Sequence, residues 1–421
     1  MKNSIKNTFL YNIADSLVTK TFESSVNIIR TSKDDSKFNH INSKLSYLLY
    51  IHVPFCDNLC PFCTFHKYQH NIKESNNYFK NLREEIKILK SHNVKINSVY
   101  IGGGSPLINA DELIKTIKLV KELFCVEDIS CETDPNHIEL NTIEKLKGLV
   151  KRLSIGIQSF DDTLLKSMGR YDKFGNSENI INRIKKIVGV VPQTSIDLIF
   201  NLPNQSEESL RNDINISKSL GVDQIVTYPL MNSKLNSKFL EQFIPNTNRE
   251  NFYNIICEML KDYNQNNMWS FSKDEYNLDD EYISKHNEYI GLGSGAFSYL
   301  QGNLFVNAFN LKEYEELLKS KKDTIIAKST FSQKEQALYY LLSTLFSGSL
   351  SLENYKKMFG KELEVQLNKE LALMKYFNLI HMEDETIFLT KKGSYVFIIM
   401  MSSFYSQMDR VRAMFRQKRV L

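Results

Sequence analysis

The 421-residue chain carries a formal net charge of +4, with 42% hydrophobic and 24% charged residues. That profile fits a globular protein large enough for a catalytic domain and a smaller second one. So small a charge is no argument for nucleic acid by itself, and no apolar run or signal peptide suggests a span or export, so a cytoplasmic enzyme is expected.

Residues 1–44 are polar with one amphipathic stretch and read as an N-terminal extension packed on the main body. From Leu45 short apolar runs alternate with amphipathic helices. Strands are predicted at 46–53, 98–102, 129–132, 152–158, 195–200 and 224–228. Helices are predicted around 78–91, 111–124, 142–150, 177–188, 207–220 and 249–263. Such alternation argues for parallel units with the sheet buried on both faces. Six units are too few for a closed eightfold barrel, so the fold class is α/β, a partial, open (β/α)6 barrel spanning 45–325.

Chemistry in such barrels gathers where strands end and loops begin. After the first strand come Cys56, Cys60 and Cys63, spaced C-x3-C-x2-C. Three thiolates so spaced can hold one face of a [4Fe–4S] cube and leave one iron open to a small molecule. Zinc would want a fourth Cys or His, and none follows in a suitable pair. Three unrelated thiols are the bland alternative. Cys125, Cys131 and Cys257 show no paired spacing, so a reducing compartment is expected. Gly102, Gly103 and Gly104 follow the second strand, where side-chain-free backbone could approach a ligand closely and offer it N–H donors. Glu132 and Asp134 follow the third, Gln158 closes the fourth, Asp197 lies in the fifth and Tyr228 ends the sixth.

Beyond about residue 325 the alternation stops. Helices near 333–345, 352–359 and 364–375 lead to a hairpin at 379–390, so residues 326–421 read as a mainly helical, winged-helix-like lid. Acids balance bases over 362–375, which argues against a DNA-reading helix. The run Tyr395-Val-Phe-Ile-Ile-Met-Met is followed by Arg410, Arg412, Arg416, Lys418 and Arg419. Two readings stand here: a segment lying on an anionic membrane surface, or a core helix with a solvated tail.

Five motifs carry a specific resemblance. They are Tyr-Ile-His-Val-Pro-Phe-Cys at 50–56, Gly-Gly-Gly-Ser-Pro at 102–106, Ser-Ile-Gly-Ile-Gln-Ser-Phe at 154–160, Asp-Leu-Ile-Phe-Asn-Leu-Pro at 197–203 and Gly-Leu-Gly-Ser-Gly-Ala at 291–296. Together the chain resembles the oxygen-independent coproporphyrinogen III oxidase-like branch of radical S-adenosylmethionine (SAM) enzymes. The resemblance implies a [4Fe–4S] cluster on the cysteine triplet and a low-potential electron donor such as a flavodoxin or ferredoxin. It implies that Gly103 and Glu132 hold a cluster-bound SAM, with Tyr50 and Phe297 beside it. Phe62, Gly104, Ser105, Gln158, Arg170, Asp197 and Pro229 match positions holding a second SAM, although Pro229 replaces the usual small residue.

Two departures shape the expected activity. The oxidases carry a fourth cysteine where this chain has Phe65. The haem chaperones carry His-Asn-x-x-Tyr-Trp, absent from the corresponding stretch 279–284, with His286-Asn287 out of register. The pattern is then most similar to the two-SAM methyltransferases. The resulting expectation is methylation of an sp2 carbon, best matched by C8 of menaquinone, with Tyr228 or Asp197 as proton acceptor. The alternatives are a porphyrin- or haem-acting enzyme, including a haem-opening methyltransferase, and a haem-binding delivery protein. All need a lipid-soluble or planar ring partner and no nucleic acid.

Overall fold

A computed structural model of the chain describes residues 2–32, 35–244, 248–274, 288–320 and 323–416. The six expected strands form, at Ser46–Val53, Lys95–Gly103, Asp128–Thr133, Arg152–Gln158, Gln193–Phe200 and Gln224–Pro229. They lie side by side in chain order and all parallel. Every residue of the first strand after Ser46 is buried, as a sheet covered on both faces requires. The first crossover helix, Ile72–Ser91, starts at Asn71, whose side chain accepts from the N–H groups of Lys73 and Glu74. Its buried face carries Tyr78, Phe79, Leu82, Ile86 and Leu89 at helical spacing.

The sheet continues past the barrel on both sides. Ser270–Ser272 pairs antiparallel with the sixth strand. On the other side Tyr289–Leu292 runs parallel to the first strand, followed by the antiparallel strands Phe297–Leu300, Asn303–Asn307 and Ile325–Thr330. The two-residue strand Ile29–Arg30 completes that edge, so the N-terminal extension is woven into the sheet. Lys37 is fully buried there, its ammonium donating to Glu85 Oε1 at 3.2 Å, the Gly291 carbonyl at 3.0 Å and Asn307 Oδ1 at 3.0 Å.

The C-terminal region has the expected helix-and-wing order: Gln333–Phe346, Leu352–Phe359, Leu363–Gln366 and Asn368–Tyr376, then the hairpin Ile380–Glu383 with Thr386–Leu389. Ser332 and Glu335 cap the first of these helices reciprocally. A 26-residue helix, Lys391–Arg416, then lies along the N-terminal helix Lys2–Ser25. Tyr395 meets Tyr11 edge-on at 4.9 Å, and Phe404 meets Phe22 at 6.0 Å. This corrects the membrane-surface reading. Tyr395, Val396, Phe397, Ile398, Ile399 and Met401 are all buried, so the apolar run is spent on the protein's own core. Lys418 and Arg419 lie outside the described residues. No helix among the described residues is long and apolar enough to cross a membrane.

Candidate functional site

The cysteines sit on the loop between the first strand and helix Ile72–Ser91. Fully buried Phe55 roots the loop, its ring 5.4 Å from that of Tyr78. The Tyr68 N–H donates to the Pro54 carbonyl at 2.6 Å and the His70 N–H to the Cys56 carbonyl at 2.8 Å, closing the base. Above it the Cys63 N–H reaches the Cys60 carbonyl at 3.3 Å, and the Lys67 ammonium donates to the same carbonyl at 3.0 Å. Asn236 Nδ2 donates to the Phe62 carbonyl at 3.0 Å and ties the loop to the far side of the barrel.

All three thiols are free and half-buried. Burial pushes the Cys56 thiol up to about 12. Desolvation acts on the Cys63 thiol in the same direction, yet the Lys67 charge and hydrogen bond, the Phe65 backbone and Arg416 outweigh it, and this thiol lies below the usual range. One tetrahedral ion would gather its sulfurs within about 4 Å of each other. Among the described residues the donors that converge within 4.8 Å are those of Asp57, Asp134 and His137, not the cysteines. The wider thiol spacing suits a cluster in which each sulfur meets a different iron.

One cavity of about 220 Å³ gathers nearly every residue expected at the site. Tyr50, Cys56, Cys60, Phe62, Cys63, Gly103, Gly104, Ser105, Glu132, Gln158, Arg170, Asp197, Tyr228 and Pro229 all line it. Phe297 does not: it is buried, with the Arg412 guanidinium 5.5 Å from its ring.

The glycine run has another purpose than expected. The Gly103 N–H donates to Glu132 Oε2 at 3.1 Å, Gly104 to the Val53 carbonyl at 2.8 Å and Ser105 to the Phe55 carbonyl at 2.7 Å. These donors are satisfied within the protein, so the idea that they face a ligand is corrected. Close packing explains the glycines instead. A Cβ would lie 2.7 Å from the Glu132 carboxylate at Gly102, 2.4 Å from the His52 ring at Gly103 and 2.4 Å from the Phe55 carbonyl oxygen at Gly104. Gly103 also has φ +111°. Gly103→Ala is expected to cost about 2–5 kcal/mol, from strained backbone plus overpacking. A chemical-denaturation midpoint equal to wild type would refute this packing account.

His52 is buried, and desolvation holds its imidazole down, to about 4. Its neutral ring bridges the Tyr50 hydroxyl at 2.8 Å and the His66 carbonyl at 2.9 Å. Glu132 accepts from the Tyr100 hydroxyl at 2.7 Å, and burial, with the charge of Asp197, raises its carboxyl above the usual range. Asp197 accepts from Ser154 Oγ at 2.7 Å. Gln158 has φ +76° where the fourth strand's register shifts, an uncommon conformation that turns the chain at the cavity wall. The Arg170 guanidinium lies 4.4 Å from the Phe174 ring, donates to the Gly156 carbonyl and reaches Cys60 Sγ at 3.6 Å. Tyr228 rests on Trp269 with ring centroids 5.2 Å apart.

Sequence reasoning picked out Asp134 but passed over several residues in and behind the wall. Tyr100, one residue before the Ile-Gly-Gly-Gly run, was legible as an inward position of the second strand. Asp134, Lys173 and His137 form a braced group: His137 Nδ1 bonds Asp134 at 2.8 Å, its Nε2 lies 3.3 Å from Asp57, and Lys173 lies 3.3 Å from Asp134. Tyr405 and Arg412 reach the cavity from the C-terminal helix, with no local motif to announce them. A second cavity of about 240 Å³, almost wholly apolar, lies under the N-terminal helix between Phe22, Tyr299 and Phe397, away from the cysteines.

Comparison with known proteins agrees with this geometry. Residues 50–215 match the model of the radical SAM superfamily. The heme chaperone HemW of Bacillus subtilis (strain 168) is 26% identical over 82% of this chain and 95% of its own length. That of Lactococcus lactis subsp. lactis (strain IL1403) is 27% identical over 82% of this chain and 93% of its own. The anaerobilin synthase of Escherichia coli O157:H7 is 26% identical over 68% of each. The structure of the coproporphyrinogen III oxidase HemN from Escherichia coli superposes with a TM-score of 0.73 at 20% identity, over 88% of this chain and 94% of that one. These relatives overturn the expectation of menaquinone methylation. Near-full-length likeness to haem chaperones outweighs the missing His-Asn-x-x-Tyr-Trp signature, on which the methyltransferase reading had leaned. The stretch 279–284 and His286-Asn287 lie outside the described residues. The radical SAM match at residues 50–215 implies a [4Fe–4S] cluster and SAM, and over most of its length the chain is similar to proteins of the coproporphyrinogen III oxidase-like branch.

Proposed function

We propose that this protein binds haem or a closely related tetrapyrrole and delivers it, holding a [4Fe–4S] cluster on Cys56, Cys60 and Cys63. The observation that carries the reading is the match to haem chaperones over 82% of this chain and 95% of the Bacillus protein. The retained cavity supports it: an aromatic wall of Phe62, Phe65, Tyr228 and Tyr405 suits a flat ring. Tyr50 and Glu132, both on the cavity wall, are the residues proposed to position SAM against the cluster. When bound, the cluster supplies the electron that cleaves SAM, and a low-potential flavodoxin or ferredoxin is the class of donor that would reduce it.

The protein's own part is to shape the site. Glu132 is held by Tyr100 and Gly103 and keeps one wall polar. Lys67 draws the cysteine loop together, and Phe62 and Arg170 close the opposite side. A second SAM on Gln158, Arg170 and Asp197 is the finer reading, supported by their place on the same cavity wall.

Anaerobically reconstituted protein is expected to bind about one haem per chain, with a shifted Soret band, and to pass it to an apo-haem protein. Equilibrium dialysis of SAM on the same sample counts its sites. No haem binding, together with SAM-dependent conversion of a porphyrin, would replace delivery with catalysis on the ring.

A further inference from the structure

Residues 169–174, on the connection that follows the fourth barrel strand, brace the cysteine loop. Lys173 donates to the Asn58 carbonyl at 3.4 Å, and a Cβ at Gly169 would meet the Pro61 ring at 3.5 Å. Between these contacts Arg170 reaches into the loop, with Nη1 3.6 Å from Cys60 Sγ. Its Nη2 donates to the Gly156 carbonyl on the fourth strand. The guanidinium lies 4.4 Å from the Phe174 ring and 5.9 Å from that of Phe62. Arg170 is only 5% exposed. Its backbone is fixed as well, the N–H donating to the Leu165 carbonyl at 2.8 Å and the carbonyl accepting from the Phe174 N–H at 2.9 Å.

A cation held against a ligand sulfur has a definite effect. Net charge and hydrogen bonds to the sulfurs set the potential of an iron–sulfur cluster. Reduction adds an electron to a group that three thiolates already make negative, so a neighbouring guanidinium favours the reduced form over the oxidised one. Burial strengthens that attraction, and a guanidinium does not escape it by losing its proton. The resemblance gives this side chain only to a second SAM. Here its two Nη groups meet the cysteine sulfur and the barrel wall.

We propose that Arg170 tunes the cluster: its N–H···S contact with Cys60 raises the reduction potential, making the cluster easier to reduce and a weaker reductant in turn. This rests on the cluster proposed above and not on haem delivery. The test uses the full chain, loaded anaerobically with iron and sulfide and kept free of SAM. An EPR-monitored redox titration compares wild type with Arg170→Gln and Arg170→Lys. Arg170→Gln is expected to shift the reduction equilibrium about tenfold toward the oxidised form, or about 59 mV for one electron. Arg170→Lys should shift it less, since the charge is kept and only the fork is lost. Wild type grown on arginine labelled with heavy nitrogen should show a nitrogen coupling in pulsed EPR of the reduced cluster, absent from labelled Arg170→Lys.

Potentials equal to wild type in both variants would overturn the proposal, most plainly if equilibrium dialysis showed a SAM site lost instead. Wild type without the coupling, or a coupling that survives in Arg170→Lys, would overturn it too. The wild-type spectrum decides even if neither variant holds iron. Wild type that loaded no iron would remove the cluster and its tuning together, a failure the iron assay separates from an unchanged potential.

Discussion

Cys56→Ala, Cys60→Ala and Cys63→Ala should each reduce bound iron to a small fraction of wild type and SAM cleavage to background. A cube held by three thiolates already has one iron without a protein ligand, and removing one of the three exposes a second iron to solvent and oxidation. The loop geometry predicts that all three positions matter equally. Cys56 is tied by its carbonyl to His70, and the Cys60 and Cys63 carbonyls share the Lys67 ammonium, so no neighbouring thiol can swing in as a substitute. Cys125 caps a helix at φ +54°, Cys131 is buried in the third strand and Cys257 is on helix Arg249–Met259, so alanine at these positions should leave iron unchanged. Iron assay and visible absorbance after anaerobic reconstitution measure both sets. A triplet variant that kept a SAM-cleaving cluster would remove the assignment.

The largest expected loss of stability comes from far outside the cavity. Lys37→Met should destabilise the fold by about 3–5 kcal/mol, the usual cost of leaving one partner of a buried ion pair behind. Lys37 and Glu85 are both essentially inaccessible, with side-chain exposures of 0% and 1%. Glu85 also accepts from the Gly293 N–H at 2.7 Å, the Tyr314 hydroxyl at 2.7 Å and Thr324 Oγ1 at 2.6 Å. The network therefore clamps the N-terminal segment, the first crossover helix and the sheet extension at one point. Lys37→Met/Glu85→Gln should recover part of the loss, since of the two carboxylates facing Lys37 only Asp323, 3.5 Å from its ammonium, then stays charged. Urea denaturation of the three proteins measures it. If Lys37→Met lost less than about 1 kcal/mol, the clamp would be only incidental.

What the sequence determined by itself was what short spacing can encode. Alternation of apolar runs and helices located the six parallel strands of the barrel, though not the parallel strand Tyr289–Leu292 beyond it, because each strand buried on both faces must be apolar over its own few residues. C-x3-C-x2-C and the glycine run are equally local, and the strand-end rule alone places Glu132, Gln158, Asp197 and Tyr228 together, as the cavity does. Tertiary structure decided the rest. Whether Tyr395–Met401 met lipid or protein depended on the N-terminal helix lying across it, and no property of that run distinguishes the two. Lys37 reads as one more surface lysine until Glu85, Gly291 and Asn307 close around it from three distant segments. The glycine N–H groups seemed available to a ligand because their acceptors, Val53, Phe55 and Glu132, belong to neighbouring strands and loops. Arg412 lines the cysteine cavity only because a 26-residue helix brings it back there. Local order follows from nearby residues, whereas the partner of a buried charge or an apolar face is set by how the chain folds back on itself.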